Sequence, residues 1–136
     1  MCIRDRFYGG ATGGAGEFGH IVIDPNGPLC DCGKRGCLEA FVGDPGLLRM
    51  AAETMNTPPT TVDQLLTVAN EGDPQARAVF AAAGDVLGRG IANLINVFNP
   101  SHVLISGEGV RSGEWILSLI HIWQLAILLA MVKRMR

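Results

Sequence analysis

The sequence has no excess of positive charge: 11 Lys and Arg face 13 Asp and Glu, a formal net charge of -2. That absence excludes a broad cationic field for phosphate backbones or acidic lipid, so the expected partner of this segment is a small molecule rather than a nucleic acid. No secretory signal opens the chain, and no internal repeat or low-complexity linker divides it. Cysteine is confined to four positions, 2, 30, 32 and 37. Cys30 and Cys32 are too closely spaced to bridge each other comfortably, so reduced thiols in a cytoplasmic setting are expected rather than a disulfide framework. With 136 residues, 48% hydrophobic and 18% charged, the chain has material for one modest core: one domain, or part of one.

Both ends carry a nucleotide-level symmetry. Leu117-Ser-Leu-Ile-His-Ile122 can be written as the codons CTG TCT CTT ATA CAC ATC, whose reverse complement, read one base in, encodes Met-Cys-Ile-Arg-Asp, the first five residues. The DNA resembles a transposon end used in sequencing-library preparation. Residues 1–6 and 117–136 are therefore expected to be translated artefact flanking a genuine segment, 7–116. The run Ile116 to Val132 is almost wholly apolar and is followed by Lys133-Arg134-Met135-Arg136, the pattern of a short membrane span. Ser118, His121 and Gln124 interrupt it and the symmetry accounts for its start, so no membrane partner is expected.

Between the ends, periodicity and punctuation predict alternating strands and helices. Phe7 to Ala15, "FYGGATGGA", reads as strand end and glycine loop. His20-Ile-Val-Ile-Asp24 reads as a strand stopped by Pro25-Asn26-Gly27-Pro28. A helix is predicted to open at Cys37 to Phe41, and another after the cap pair Asp44-Pro45 through Leu47, Leu48, Ala51, Ala52 and Met55. Thr61 with Gln64 resembles a capping box for a helix ending near Gly72, and Asp73-Pro74 starts a long apolar-striped helix that Pro100 stops. Gly84, Gly88 and Gly90 within that helix cost helix propensity and predict close packing against a neighbour. His102 to Gly107 reads as a buried strand feeding the loop Gly107-Glu108-Gly109. The order is that of an α/β fold, in which ligands gather beyond the carboxyl ends of strands.

The chemistry concentrates in "GEFGHIVIDPNGPLCDCGKRGCLEA", residues 16–40. His20, Cys30, Cys32 and Cys37 supply one imidazole and three thiolates, the set that favours a closed, structural, tetrahedral zinc. Iron–sulfur clusters usually take four cysteines. Gly33 and Gly36 let the knuckle wrap one ion, and the competing reading is buried free thiols with a surface histidine. Glu17 and Glu39 are either hydrogen-bond acceptors for a ligand, a general acid/base pair, or solvated carboxylates. Gly13, Gly14 and Gly16 allow close backbone approach or simply turn the chain.

"GAGEFGH" followed by "CDCGKRGCLEA" resembles the signature of the ROK family, the bacterial sugar kinases and sugar-responsive repressors, and a weaker likeness extends to "HVLISGEGV". The resemblance implies part of an actin-like, ribonuclease-H-like domain with an inserted zinc loop and an incomplete sheet. It implies Zn2+ at His20, Cys30, Cys32 and Cys37, a monosaccharide held by Glu17, Glu39 and the second ring nitrogen of His20, and a homo-oligomeric parent. It also places Gly107 and Gly109 near the nucleotide of the kinases, which use ATP and Mg2+. The kinases' Asn-Asp catalytic pair and Asp-Gly-Gly-Thr-like phosphate loop do not occur between Phe7 and Ile116, so no catalytic residue is assigned and this segment is not expected to phosphorylate sugar. Glu108 would face the charge of ATP's phosphates, and Val42-Gly43-Asp44-Pro45 stands where the kinases tend to carry Ser-Gly. Both departures favour a transcriptional regulator, which would meet DNA only through a further upstream domain. An ATP-dependent kinase of a hexose or N-acetylhexosamine is the alternative, and a free-standing zinc-knuckle interaction module the third reading.

Overall fold

The computed structural model describes residues 9–100, 102–105 and 115, and the backbone of residues 2–3 and 6–7. Two short strands, β1 (Cys2–Ile3) and β2 (Arg6–Phe7), pair antiparallel with Cys2 opposite Phe7. A glycine-rich loop and a single 3-10 turn (Phe18–His20) lead into the cysteine knuckle. Four helices follow: α1 (Leu38–Val42), α2 (Asp44–Thr54), α3 (Val62–Asn70) and α4 (Pro74–Phe98).

Each later helix starts where a side chain can satisfy a free backbone N–H. At α3, Thr61 Oγ1 accepts from the Gln64 N–H at 3.2 Å, and Gln64 Oε1 accepts from both the N–H and the hydroxyl of Thr60 at 3.0 and 3.1 Å. The capping box therefore closes on Thr60 rather than on the cap residue. At α4, Asp73 Oδ1 accepts from the Ala76 N–H at 2.8 Å and Pro74 occupies the first turn, where its missing N–H costs nothing. The helix ends on Asn99, left-handed at φ 43°, whose N–H donates to Ile95 O at 2.8 Å before Pro100. α2 departs from expectation: its cap is Gly43, and Asp44 is already helical.

The core forms where α2 and α3 pack on α4. Leu65, Ala69, Ala76, Phe80 and Ala83 are wholly buried, with Val79, Leu47 and Ala51 beside them. Gly90 has the role expected of a helical glycine at a crossing, since a Cβ there would meet Leu38 Cδ2 at 2.9 Å and hold α1 off α4. Gly84 and Gly88 are buried as well. Arg77 closes the other end of the core: its Nε donates to Ala69 O at 2.9 Å, and its guanidinium lies 4.6 Å from the centre of the Trp115 ring. The Trp115 indole N–H donates to Asn70 Oδ1 at 3.0 Å. By length and composition α4 is apolar enough to cross a membrane, yet it is the core helix on which α1, α2 and α3 all pack.

The predicted strands are corrected. Described residues are predominantly helical, and their only ladder is β1 with β2. His20 to Asp24 contributes a single bridge, Val22 to Cys37, and His102 to Ile105 takes no regular secondary structure. A strand exists only when a neighbour satisfies its alternate N–H and C=O groups, and β-branched composition does not supply that neighbour. Consistent with a missing cover, Val97 is 72% and Leu104 91% exposed. Gly107, Gly109 and the apolar run from Ile116 lie outside the described residues.

Candidate metal centre and neighbouring carboxylates

The knuckle is built by backbone hydrogen bonds that return the chain on itself twice. Ile23 and Asp24 N–H groups both donate to Gly36 O, at 2.8 and 3.3 Å, and Gly36 N–H donates to Pro28 O at 2.7 Å. The inner turn closes through Cys30 N–H to Lys34 O at 2.8 Å and Gly33 N–H to Cys30 O at 2.9 Å. Gly33 and Gly36 have φ of 84° and 70°, left-handed values that favour glycine. Gly36 is the more demanding of the two, because a Cβ on it would overlap the Asp24 carbonyl group.

These turns bring the four expected donors together. One ligand atom from each of His20, Cys30, Cys32 and Cys37 lies within 4.8 Å of all the others. Cys30 Sγ is 3.5 Å from His20 Nδ1, and Cys32 Sγ is 3.5 Å from Cys37 Sγ. Thiolates about 2.3 Å from a common tetrahedral centre stand about 3.8 Å apart, so the spacing fits such a site after small side-chain adjustment. Cys30 and Cys37 are buried and Cys32 is exposed. Burial raises the Cys37 thiol from 9.0 to about 11, reinforced by the Cys32 and Cys30 sulfurs, whereas the Lys34 backbone N–H is the chief influence drawing Cys32 below the usual thiol range. A bound dication would keep all three sulfurs as thiolates.

The carboxylates divide. Glu39, in the first turn of α1, brings Oε2 to 3.8 Å from His20 Nδ1, and its side chain is half exposed. Glu17 caps the 3-10 turn that ends in His20, and it faces solvent. The structure thus joins His20 to Glu39 directly and sets Glu17 three residues away on the same turn. Gly13, Gly14 and Gly16 lie in the loop just before this turn; Gly13 and Gly16 take positive φ, and a Cβ on either would meet no other atom within 4 Å.

Three features escaped the sequence reading. Gly19 forms the floor beneath Glu39, as a Cβ there would stand 2.9 Å from Glu39 Oε2. Arg49 fastens α2 to α1 by donating from Nη1 to Ala40 O at 3.2 Å, with Nε 3.5 Å from Glu53 Oε1. A cleft of about 370 Å³ runs from the knuckle to the start of α2, with Cys30, Asp31, Glu39, Asp44 and Arg49 among its walls. The i,i+4 spacing of Arg49 and Glu53 was a visible signal for the pair. The other two depend on contacts between segments distant in sequence.

Comparison with known proteins identifies the family and its fold. The ROK family profile matches residues 1–122. A glucokinase of Thermotoga maritima is 36% identical over 118 residues, covering 77% of this chain and 37% of that protein. A xylose repressor of Caldicellulosiruptor bescii is 32% identical over 129 residues, covering 86% of this chain and 32% of the repressor. The solved ROK hexokinase of Thermus thermophilus superposes with a TM-score of 0.77 at 31% identity, over 88% of this chain and 41% of the hexokinase. The chain spans about a third of the length of the curated relatives it matches. On a profile match over most of its length and on its shared fold, the chain belongs to the ROK family.

Proposed function

We propose that this chain is the zinc-containing, sugar-binding portion of a ROK regulator, in which one ion shapes the loop that recognises a monosaccharide. The observation that carries the reading is the convergence of one imidazole and three sulfurs within 4.8 Å. Zinc bound there supplies loop rigidity and fixes the tautomer of His20. His20 Nδ1 faces Cys30, which leaves Nε2 as the protonated donor to a sugar oxygen. Glu39 and Glu17 accept from sugar hydroxyls, with charge-assisted bonds that discriminate a polyol from an apolar ligand. The ligand is a monosaccharide, the setting cytoplasmic and the parent homo-oligomeric, with DNA contacted through an upstream domain.

Two measurements test this. Cys32→Ser abolishes stoichiometric zinc in the purified chain, and unchanged metal content rejects the ligand set. In the parent-length protein, Glu39→Gln weakens sugar binding in calorimetry, and an unaltered affinity returns Glu39 to the solvated surface.

The second reading, a sugar kinase using ATP and Mg2+, is favoured by the identity to a glucokinase. The upstream gene separates the two: a winged helix-turn-helix specifies the regulator, whereas an Asp-Gly-Gly-Thr-like loop with an Asn-Asp pair specifies the kinase.

A further inference from the structure

Cys32 and Cys37 have the arrangement of a reactive and a resolving thiol. Their Sγ atoms are 3.5 Å apart, close enough for side-chain rotation to reach an S–S bond of about 2 Å. The turn between them is folded back by Gly33 and Gly36, both at positive φ, so joining the sulfurs asks for little loop closure. Access is unequal. Cys32 is exposed, while Cys37 is 0% exposed and lies behind it. The other pairings are poorer: Cys30 is buried with its sulfur facing His20 Nδ1, and only Asp31 separates it from Cys32.

We propose that Cys32 and Cys37 form a hydroperoxide-oxidisable dithiol whose closure into a disulfide discharges the metal. The metal-releasing half rests on the zinc reading above, and the dithiol half on the geometry just given. The Cys32 sulfur takes the terminal oxygen of the hydroperoxide; the O–O bond breaks, the remaining oxygen leaves as hydroxide or alkoxide, and Cys32 becomes a sulfenic acid. The Cys37 sulfur then attacks Cys32 Sγ, the S–S bond forms, and hydroxide leaves and is protonated to water. Two electrons pass from the two sulfurs to the peroxide, and the dication is left with His20 and Cys30, two donors of four, and departs. Since His20 and Glu39 share this corner, sugar affinity falls with the metal.

Hydrogen peroxide on the zinc-loaded chain provides the test, with released metal read by a chromogenic chelator and bridges mapped by mass spectrometry. Trypsin cuts after Arg4, Lys34 and Arg35 and a protease cutting before Asp31 separates Cys30 from Cys32, so all four cysteines fall on different peptides. The expected result is complete zinc release with loss of two thiols, a Cys32–Cys37 cross-link, and reversal of both by dithiothreitol and added zinc. Zinc retained with its thiols intact, a bridge through Cys30, or a bridge between chains overturns the proposal. Metal-free Cys30→Ser provides a second check: it forms the Cys32–Cys37 bridge if the pair is as described, and failure overturns the dithiol. A wild-type chain purified without zinc refutes the zinc reading and the metal-release half together, while bridge mapping on that same metal-free chain still decides the dithiol.

Discussion

The carboxylate of Glu39 rests on the backbone of Gly19, so closely that Oε2 would be 2.9 Å from any Cβ placed there. One glycine in the 3-10 turn thereby sets the position of a carboxylate on α1, and the turn's last residue, His20, stands 3.8 Å from the same oxygen. Gly19→Ala presses on Glu39 Oε2 at 2.9 Å and on Glu39 Cβ at 3.3 Å, so the carboxylate must swing aside while α1 gives by a few tenths of an ångström, and thermal stability should fall only slightly. Sugar affinity in the parent-length protein should drop about tenfold, the worth of one misplaced charge-assisted hydrogen bond, as read by calorimetry.

Gly36→Ala acts on the knuckle itself. The new methyl collides with the Asp24 carbonyl and the residue must hold φ 70°, so the inner turn should open at a cost of about 1–3 kcal/mol and zinc stoichiometry should fall below one. Metal analysis beside a melting curve checks both. Full zinc occupancy in this variant would mean that the turn relaxes without disturbing its ligands.

Gly90→Ala probes the crossing of α1 and α4. Its methyl meets the Leu38 Cδ2 and Cδ1 methyls at 2.9 and 3.2 Å, one residue before Glu39, and the buried Leu38 side chain has little room to turn away. Overpacking of this kind costs about 1–3 kcal/mol, visible as a lower urea midpoint with an unchanged slope. Leu38→Ala should partly rescue it, and two independent, additive losses would contradict the contact.

Alkaline pH should separate the metal-free from the metal-bound chain. The Cys37 thiol ionises at about 11 when folded without metal but near 9.0 when free, so the folded metal-free chain holds this proton more tightly than the unfolded chain. The resulting stabilisation is whole below pH 9.0 and disappears as pH rises toward 11, and the melting temperature of the metal-free chain should decline across that window. With zinc bound the sulfur is already a thiolate and this decline should be absent. On the acid side protons compete with the ion, so zinc affinity should weaken steadily as pH falls below neutrality.

What the sequence made legible follows from where the information resides. The convergence of His20, Cys30, Cys32 and Cys37 could be read because it follows from residue identity and short spacing, and α3 and α4 because Thr61, Gln64, Asp73 and Pro74 act within one turn of themselves. The expected strand at His20 to Asp24, and the described part of the second, His102 to Ile105, could not, because pairing depends on segments distant in the chain. Asp44 was misread as a cap by one position, a local error, since Gly43 satisfies the same geometry without a side-chain bond. Gly36 was recognised as a turn-former, but the Asp24 carbonyl that makes it irreplaceable lies twelve residues earlier. Gly19 beneath Glu39 and Arg49 against Ala40 are long-range contacts of the same kind.

The far end of α4 has a practical consequence for handling this chain. Val97, Phe98 and Leu104 present oily side chains to water, at 72%, 45% and 91% exposure, within a few residues of one another. Expressed by itself, the polypeptide should bind phenyl-Sepharose in moderate ammonium sulfate and scatter light increasingly with concentration. Val97→Lys with Leu104→Lys should make it elute early and stay clear, without changing how much zinc it carries.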